Sequence, residues 1–290
     1  MLLESNPGKK LKISYSKIIF SVLTFICLLF SLNVHAQGDL FINPKRIVFE
    51  GQKHFQEINL ANIGKDTARY VISFIQIRMK EDGNFEQIEK PDSGQNFASK
   101  YLRIFPRMVT LAPKESQVVK VQVNQNSKLT DGEYRSHLYF RAVPKEIPLG
   151  ESVAKDSTAK GVSVKLTPVY GISIPVIIRI GEDNTKVTLS DLKFEKEKDN
   201  RPFLKFRFNR TGNMSVYGDI AIQYVSDAGK ITSAGFIKGV SVYTPNKLRD
   251  IKISLDNKTL NYTSGKLLVI YTNSIEGKSE KLASAELKLD

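Results

Sequence analysis

Few residues of this chain have the types and spacing that catalysis needs. Beyond residue 36 there are two histidines, His54 and His137. Each falls in an alternating apolar pattern with no second ligand at metal-binding spacing, which predicts structural or surface roles. The one cysteine, Cys27, lies in an apolar N-terminal run, so neither disulfides nor thiolate chemistry is expected of the remainder. Gly-x-Ser-x-Gly elbows, His-Glu-x-x-His motifs and phosphate-cradling glycine loops do not occur. The acidic run EKEKDN (195–200) is interleaved with lysines, which marks a solvated turn rather than a cation site. PFLKFRFNR (202–210) mixes aromatic and basic residues as a single-strand nucleic-acid platform would. Its strict alternation instead predicts Leu204, Phe206 and Phe208 on a core face, with Lys205 and Arg207 in water. No metal, cofactor or enzymatic activity is expected.

Binding chemistry is better represented. NPKRIVFEG (43–51) places Arg46 at the start of an apolar strand pattern. A guanidinium there would match both oxygens of a carboxylate; read from the residues alone, an arginine facing solvent on an outer strand is the plainer account. The second feature is VSVKLTPVYGISIPVIIRIG (162–181), apolar, aromatic or proline at every even position from Val162 to Ile180. Strands average about 5–6 residues, so this alternation runs several times longer than a routine strand. Pro168 and Pro175 have no N–H to give a ladder, which predicts an edge strand. A long apolar edge recruits other strands unless it is protected.

The elements that must position these features are almost all extended. Period-2 alternation predicts strands over Leu40–Phe49, Phe55–Ala61, Arg69–Met79, Tyr101–Phe105, Ser116–Val123, Tyr134–Val143 and the long segment just described. A second series covers Lys186–Phe194, Phe203–Asn209, Val216–Val225, Ile231–Gly239, Arg249–Leu255, Lys266–Thr272 and Lys281–Leu289. The fold class is therefore all-β, and seven short strands per half match two immunoglobulin-like β-sandwich domains, 37–181 and 182–290. Ahead of them, basic KKLKISYSK, apolar IIFSVLTFICLLFSL and NVHAQ have the parts of a signal peptide, 1–36, with cleavage between Ala36 and Gln37. The apolar run is shorter than the roughly 18–20 residues that span a bilayer, so no retained membrane anchor is expected. The chain carries a formal charge of +13, spread without a basic block. That distribution argues against nucleic acid and leaves an acidic partner or anionic envelope surface open.

KRIVFEG (45–51), FPRMVTLAPKESQVVKVQV (105–123), LTDGEYRSHLYFRAVP (129–144) and YGISIPVIIR (170–179), in that order, resemble the N-terminal domain of PapD-like periplasmic pilus-assembly chaperones. NRTGNMSVYGDI (209–220) is loosely similar to the second domain of that family. The resemblance implies two immunoglobulin-like domains in a boomerang. It also implies a periplasmic location and a final first-domain strand that is lent to pilin-like subunits lacking one of their own. The donated row would be Leu166, Tyr170, Ile172, Ile174 and Val176. Arg46 falls on the family's first-strand arginine, which anchors the subunit's C-terminal carboxylate. The lysine that accompanies it has no counterpart, since Ser173 and Pro175 occupy its neighbourhood and Lys165 lies well upstream; Arg179 falls at the family's domain junction. An outer-membrane usher and a self-capping dimer are further expectations of the resemblance. An envelope or adhesion scaffold built from two sandwiches is the alternative that the same elements would serve.

Overall fold

The computed structural model describes residues 40–124, 129–144, 168–256, 260–275 and 278–289. The expected signal peptide and Leu166 lie outside the described residues. Among those described, eighteen strands are joined by turns and one 3-10 turn. They are β1 (Leu40–Asn43), β2 (Ile47–Phe49), β3 (Phe55–Asn62), β4 (Ala68–Ile75), β5 (Ile77–Met79), β6 (Phe85–Gln87), β7 (Leu102–Phe105), β8 (Met108–Leu111), β9 (Ser116–Val123), β10 (Gly132–Ala142) and β11 (Gly171–Ile180). After the turn at Gly181 come β12 (Lys186–Lys196), β13 (Pro202–Thr211), β14 (Val216–Val225), β15 (Ile231–Val242), β16 (Leu248–Ser254), β17 (Gly265–Ile275) and β18 (Lys278–Leu289).

The first eleven strands build a sandwich from a β1-β3-β9-β7 sheet and a β2-β11-β10-β4-β8 sheet, with β5 and β6 forming a separate hairpin. The alternation read from the sequence decides which side chains fill it. In β9, Val119, Val121 and Val123 are buried while Lys120 and Gln122 face out, as a strand with one wet face requires. Ile58, Leu60, Leu111, Leu138 and Phe140 complete this core from both sheets. At the start of β10 the Tyr134 hydroxyl accepts from the Thr130 backbone N–H at 3.1 Å and donates to the Thr130 carbonyl at 3.2 Å. This is the tyrosine corner that immunoglobulin-like sandwiches use to fix the entry to that strand.

The later strands form a second sandwich from a β12-β13-β16 sheet and a β15-β14-β17-β18 sheet around a separate core. Leu204, Phe206 and Phe208 point into it, Lys205 is exposed and Arg207 is half-exposed, so the aromatic and basic alternation of this stretch belongs to packing. Phe208 meets Tyr271 edge-on with ring centroids 4.8 Å apart, a favourable aromatic geometry.

Two expected strands are subdivided. Leu40–Phe49 breaks at Pro44 into β1 and β2, which lie in different sheets, since proline cannot donate to a continuing ladder. Arg69–Met79 divides into β4 and β5, and β5 pairs with β6, a strand within the polar stretch after Met79 where none was expected. No helix among the described residues is long and apolar enough to cross a membrane.

Candidate functional site

The register of β11 defines the site. On one side β11 is paired antiparallel with β10 along its whole length, from Gly171 opposite Arg141 to Ile180 opposite Gly132. On the other side β2 pairs in parallel with Val176, Ile177 and Ile178 only. Among the described residues, Gly171–Pro175 therefore keeps one free edge, and Pro175, which has no N–H to offer, stands where the parallel pairing begins. Of the expected long edge, 162–167 lies outside the described residues, and Val176–Ile178 is corrected to the interior of the sheet.

The even-numbered side chains divide in the same way. Tyr170 and Ile172 are 50% and 38% exposed, whereas Ile174 and Val176 are 3% and 0% exposed. The last two fill the first sandwich's own core beside Phe49 and Leu138, so the expected outward row of even positions is corrected at Ile174 and Val176. Both are taken up by the core that the two sheets of the first sandwich share, and at Val176 β2 also pairs with the strand. Gly171 is required for a local reason: a Cβ there would lie 2.3 Å from the Tyr139 ring, which crosses the strand at this point.

The odd face of β11 looks onto a cleft of about 280 Å³. Ser173 and Pro175 line it, together with Arg46, His137, Tyr243 and Arg249. Arg46, just before β2, is half-buried. Its guanidinium carbon sits 4.6 Å from the Tyr217 ring centroid and 5.6 Å from that of Tyr243, and Nη1 donates to the Tyr243 hydroxyl at 3.2 Å. Rings from the second sandwich hold the cation by its face. No carboxylate lines the cleft, and among the described residues none pairs with Arg46. Its remaining donors suit an incoming anion.

Glu133, Arg135 and His137 alternate along β10 on the side away from the first core, and all three are buried. Glu133 accepts from Arg179 Nε at 3.2 Å, from the Ser215 N–H and hydroxyl at 2.9 and 2.6 Å, and from the Thr244 hydroxyl at 3.1 Å. Arg179 also donates to Glu50 at 2.8 Å and to the Ser215 carbonyl at 2.6 Å. Arg135 donates to the carbonyls of Ile77 and Thr244, both at 3.3 Å, and lies 4.4 Å from the Tyr243 ring centroid. Sequence reasoning placed Arg179 at a junction through the family resemblance and passed over Glu133 and Arg135. Their strict i, i+2 spacing was the available signal.

His137 is strongly perturbed. Burial, reinforced by the Arg135 and Arg46 cations, pushes its imidazole down to about 3, and its Nδ1 has no partner. An unfolded chain's histidine takes a proton near pH 6.5; the folded one does so only near 3. Unfolding therefore takes up a proton between those values, and stability falls as pH drops through that window. In urea titrations from pH 7 to pH 4, wild type is expected to lose up to about 1.4 kcal/mol more per pH unit than His137→Phe below pH 5.5. Parallel pH profiles for the two proteins would show that His137 is not buried as a neutral base.

Among the described residues no group of three or more His, Cys, Asp or Glu side chains is placed to hold a metal ion. Residues 39–179 match the family model for the pili and flagellar-assembly chaperone, PapD N-terminal domain. Solved structures similar to this chain include the YadV chaperone, at 12% identity and a TM-score of 0.44 over 87% of this chain and 100% of that one. The Pseudomonas aeruginosa CupB2 chaperone matches at 11% identity and a TM-score of 0.41 over 86% of this chain and 99% of that one. The Salmonella enterica SafA pilin in complex with the SafB chaperone matches at 10% identity and a TM-score of 0.41, covering 88% and 99%. No curated protein matches the sequence.

Proposed function

We propose that this chain, whose residues 39–179 match the family model for the pili and flagellar-assembly chaperone, PapD N-terminal domain, is a periplasmic chaperone for pilin-like subunits. The observation that carries this reading is the half-free β11. Among the described residues, Gly171–Pro175 has one unpaired edge, with exposed Tyr170 and Ile172 on one face and a basic cleft lined by no carboxylate on the other. A subunit lacking a strand would pair with that edge through main-chain hydrogen bonds and bury the exposed side chains in its open groove. Arg46 would receive the subunit's C-terminal carboxylate in the cleft.

On this reading the chain is exported, its leader is removed between Ala36 and Gln37, and the mature protein is divided at 181/182 into two sandwich domains. The donated row is Tyr170, Ile172 and the preceding segment with Leu166. Delivery to an outer-membrane usher and self-capping of the free edge in a dimer are parts of the same proposal. No chemical step is involved.

Co-expression with pilin-type proteins of the same genome, followed by affinity purification from the periplasm, tests it. Wild type is expected to retain one such subunit. Arg46→Gln should retain about tenfold less or lower, the effect of losing a hydrogen bond to a charged group, with an unchanged unfolding midpoint. Failure of the wild type to retain any exported subunit, or equal retention by the variant, refutes the reading.

A further inference from the structure

We propose that Arg249, supplied by the second sandwich, is the second cation of the carboxylate-binding cleft, in the role for which β11 offers only Ser173 and Pro175. The inference rests on the chaperone reading for the identity of the carboxylate and on the geometry of the cleft for everything else.

Three basic side chains line the cleft: Lys45, Arg46 and Arg249. Lys45 is exposed, and among the described residues no hydrogen bond or ion pair fixes its side chain. Arg249 is half-buried and held from two sides. One guanidinium nitrogen, Nη1, donates to the Ser241 carbonyl, two residues from the Tyr243 that holds Arg46. Nη2, Nε and Cζ of its guanidinium come so close to Gly83, in the β5–β6 turn, that a Cβ there would lie 2.5–2.8 Å from them. The turn is itself fastened to β16 by the Asp250 N–H donating to the Glu81 carbonyl at 2.7 Å. A guanidinium already fixed in place loses little entropy when an anion arrives.

The group also lacks what such a cation ordinarily has. Among the described residues no carboxylate pairs with Arg249: neighbouring Asp250 is taken by Arg207 at 2.7 Å, and Asp82 accepts from Asn84 at 2.8 Å. The buried Nε–H has no acceptor. Desolvation lowers its affinity for a proton and outweighs the opposing pull of Tyr271, Tyr243 and Asp82, as expected of a charge drawn out of water with no carboxylate bonded to it. Burial pushes the Tyr271 hydroxyl up while Arg46 and Arg249 both pull against it, which places the two cations within electrostatic reach of one phenol. An anion between them would satisfy both, and a terminal carboxylate has two oxygens to share.

Two measurements test this. In the first, acetate is titrated into the purified wild-type protein while the Nε–Hε NMR signals of Arg46 and Arg249 are followed. Both are expected to move along one saturation curve, and Arg249→Gln should weaken the response of Arg46 about tenfold. In the second, subunit retention is compared in Arg249→Gln, Arg249→Lys and, as a control away from the cleft, Lys230→Gln at an exposed turn. A loss of about tenfold is expected for the first, partial recovery for the second and a change within twofold for the third. If acetate moves Arg46 alone, or if Arg249→Gln retains a subunit as wild type does, the assignment fails while the chaperone reading stands. If acetate engages both arginines but no subunit is ever retained, the chaperone reading fails and the two-arginine site stands. The wild-type titration needs no variant, so a poorly folding Arg249→Gln does not remove the test.

Discussion

Glu133→Ala is expected to destabilise the protein by about 3–5 kcal/mol, the usual cost of removing one partner from a buried ion pair. The Glu133 side chain is fully buried and accepts four hydrogen bonds, three of them from Ser215 and Thr244 across to the second sandwich. Alanine would leave those donors without an acceptor. Arg179 would be stranded as well, because burial works against its charge and it is Glu133, with Glu50, that holds its guanidinium above the usual arginine range. Glu133→Gln keeps an oxygen for the hydroxyls and loses the charge, so an intermediate cost is expected. Urea unfolding of the three proteins at pH 7 measures this; a cost below about 1 kcal/mol for alanine, typical of exposed pairs, would mean that the junction network contributes little.

Strand positions and core faces were largely legible because period 2 is a local property. In β9, β10 and β13 the apolar parity names the residues that share a face, and Val119, Leu138 and Leu204 lie in the cores accordingly. Parity does not say what covers the other face. Glu133, Arg135 and His137 read as a wet row on β10, yet all three are buried because the Ser215 and Tyr243–Thr244 segments pack on them. Their partners are 82 to 111 residues away in sequence, beyond any periodic signal. The same limit explains β11. Its alternation is continuous, while its status as edge or interior changes at Pro175 through a pairing with β2 that no local pattern contains. Arg46 was placed in the cleft through a motif resemblance, and Arg249, on a strand with no such motif, was passed over. Gly83 carried a usable hint, since a glycine in a turn marks either a positive φ or a close approach, and here it marks both.

That change of status within one strand gives the sharpest contrast among single substitutions. Val176→Asp puts a carboxylate at a position with no solvent exposure, among apolar side chains of the first core. A charge buried without a partner costs several kcal/mol, a large fraction of the roughly 5–15 kcal/mol that holds a domain folded, so the variant is expected to be unfolded or degraded. Ile172→Asp, four residues earlier on the same face, has water available and is expected to change stability by about 1 kcal/mol or less. Its effect should appear only when a subunit pairs with the free edge and closes its groove over position 172, where the carboxylate would meet the same desolvation cost. Subunit retention is then expected to fall about a hundredfold or more, while the melting temperature stays near that of wild type. Retention at the wild-type level by a folded Ile172→Asp would show that Gly171–Pro175 is not the donated segment. Loss of retention with folding intact would place the boundary between what the protein keeps for its own core and what it lends between Ile172 and Ile174.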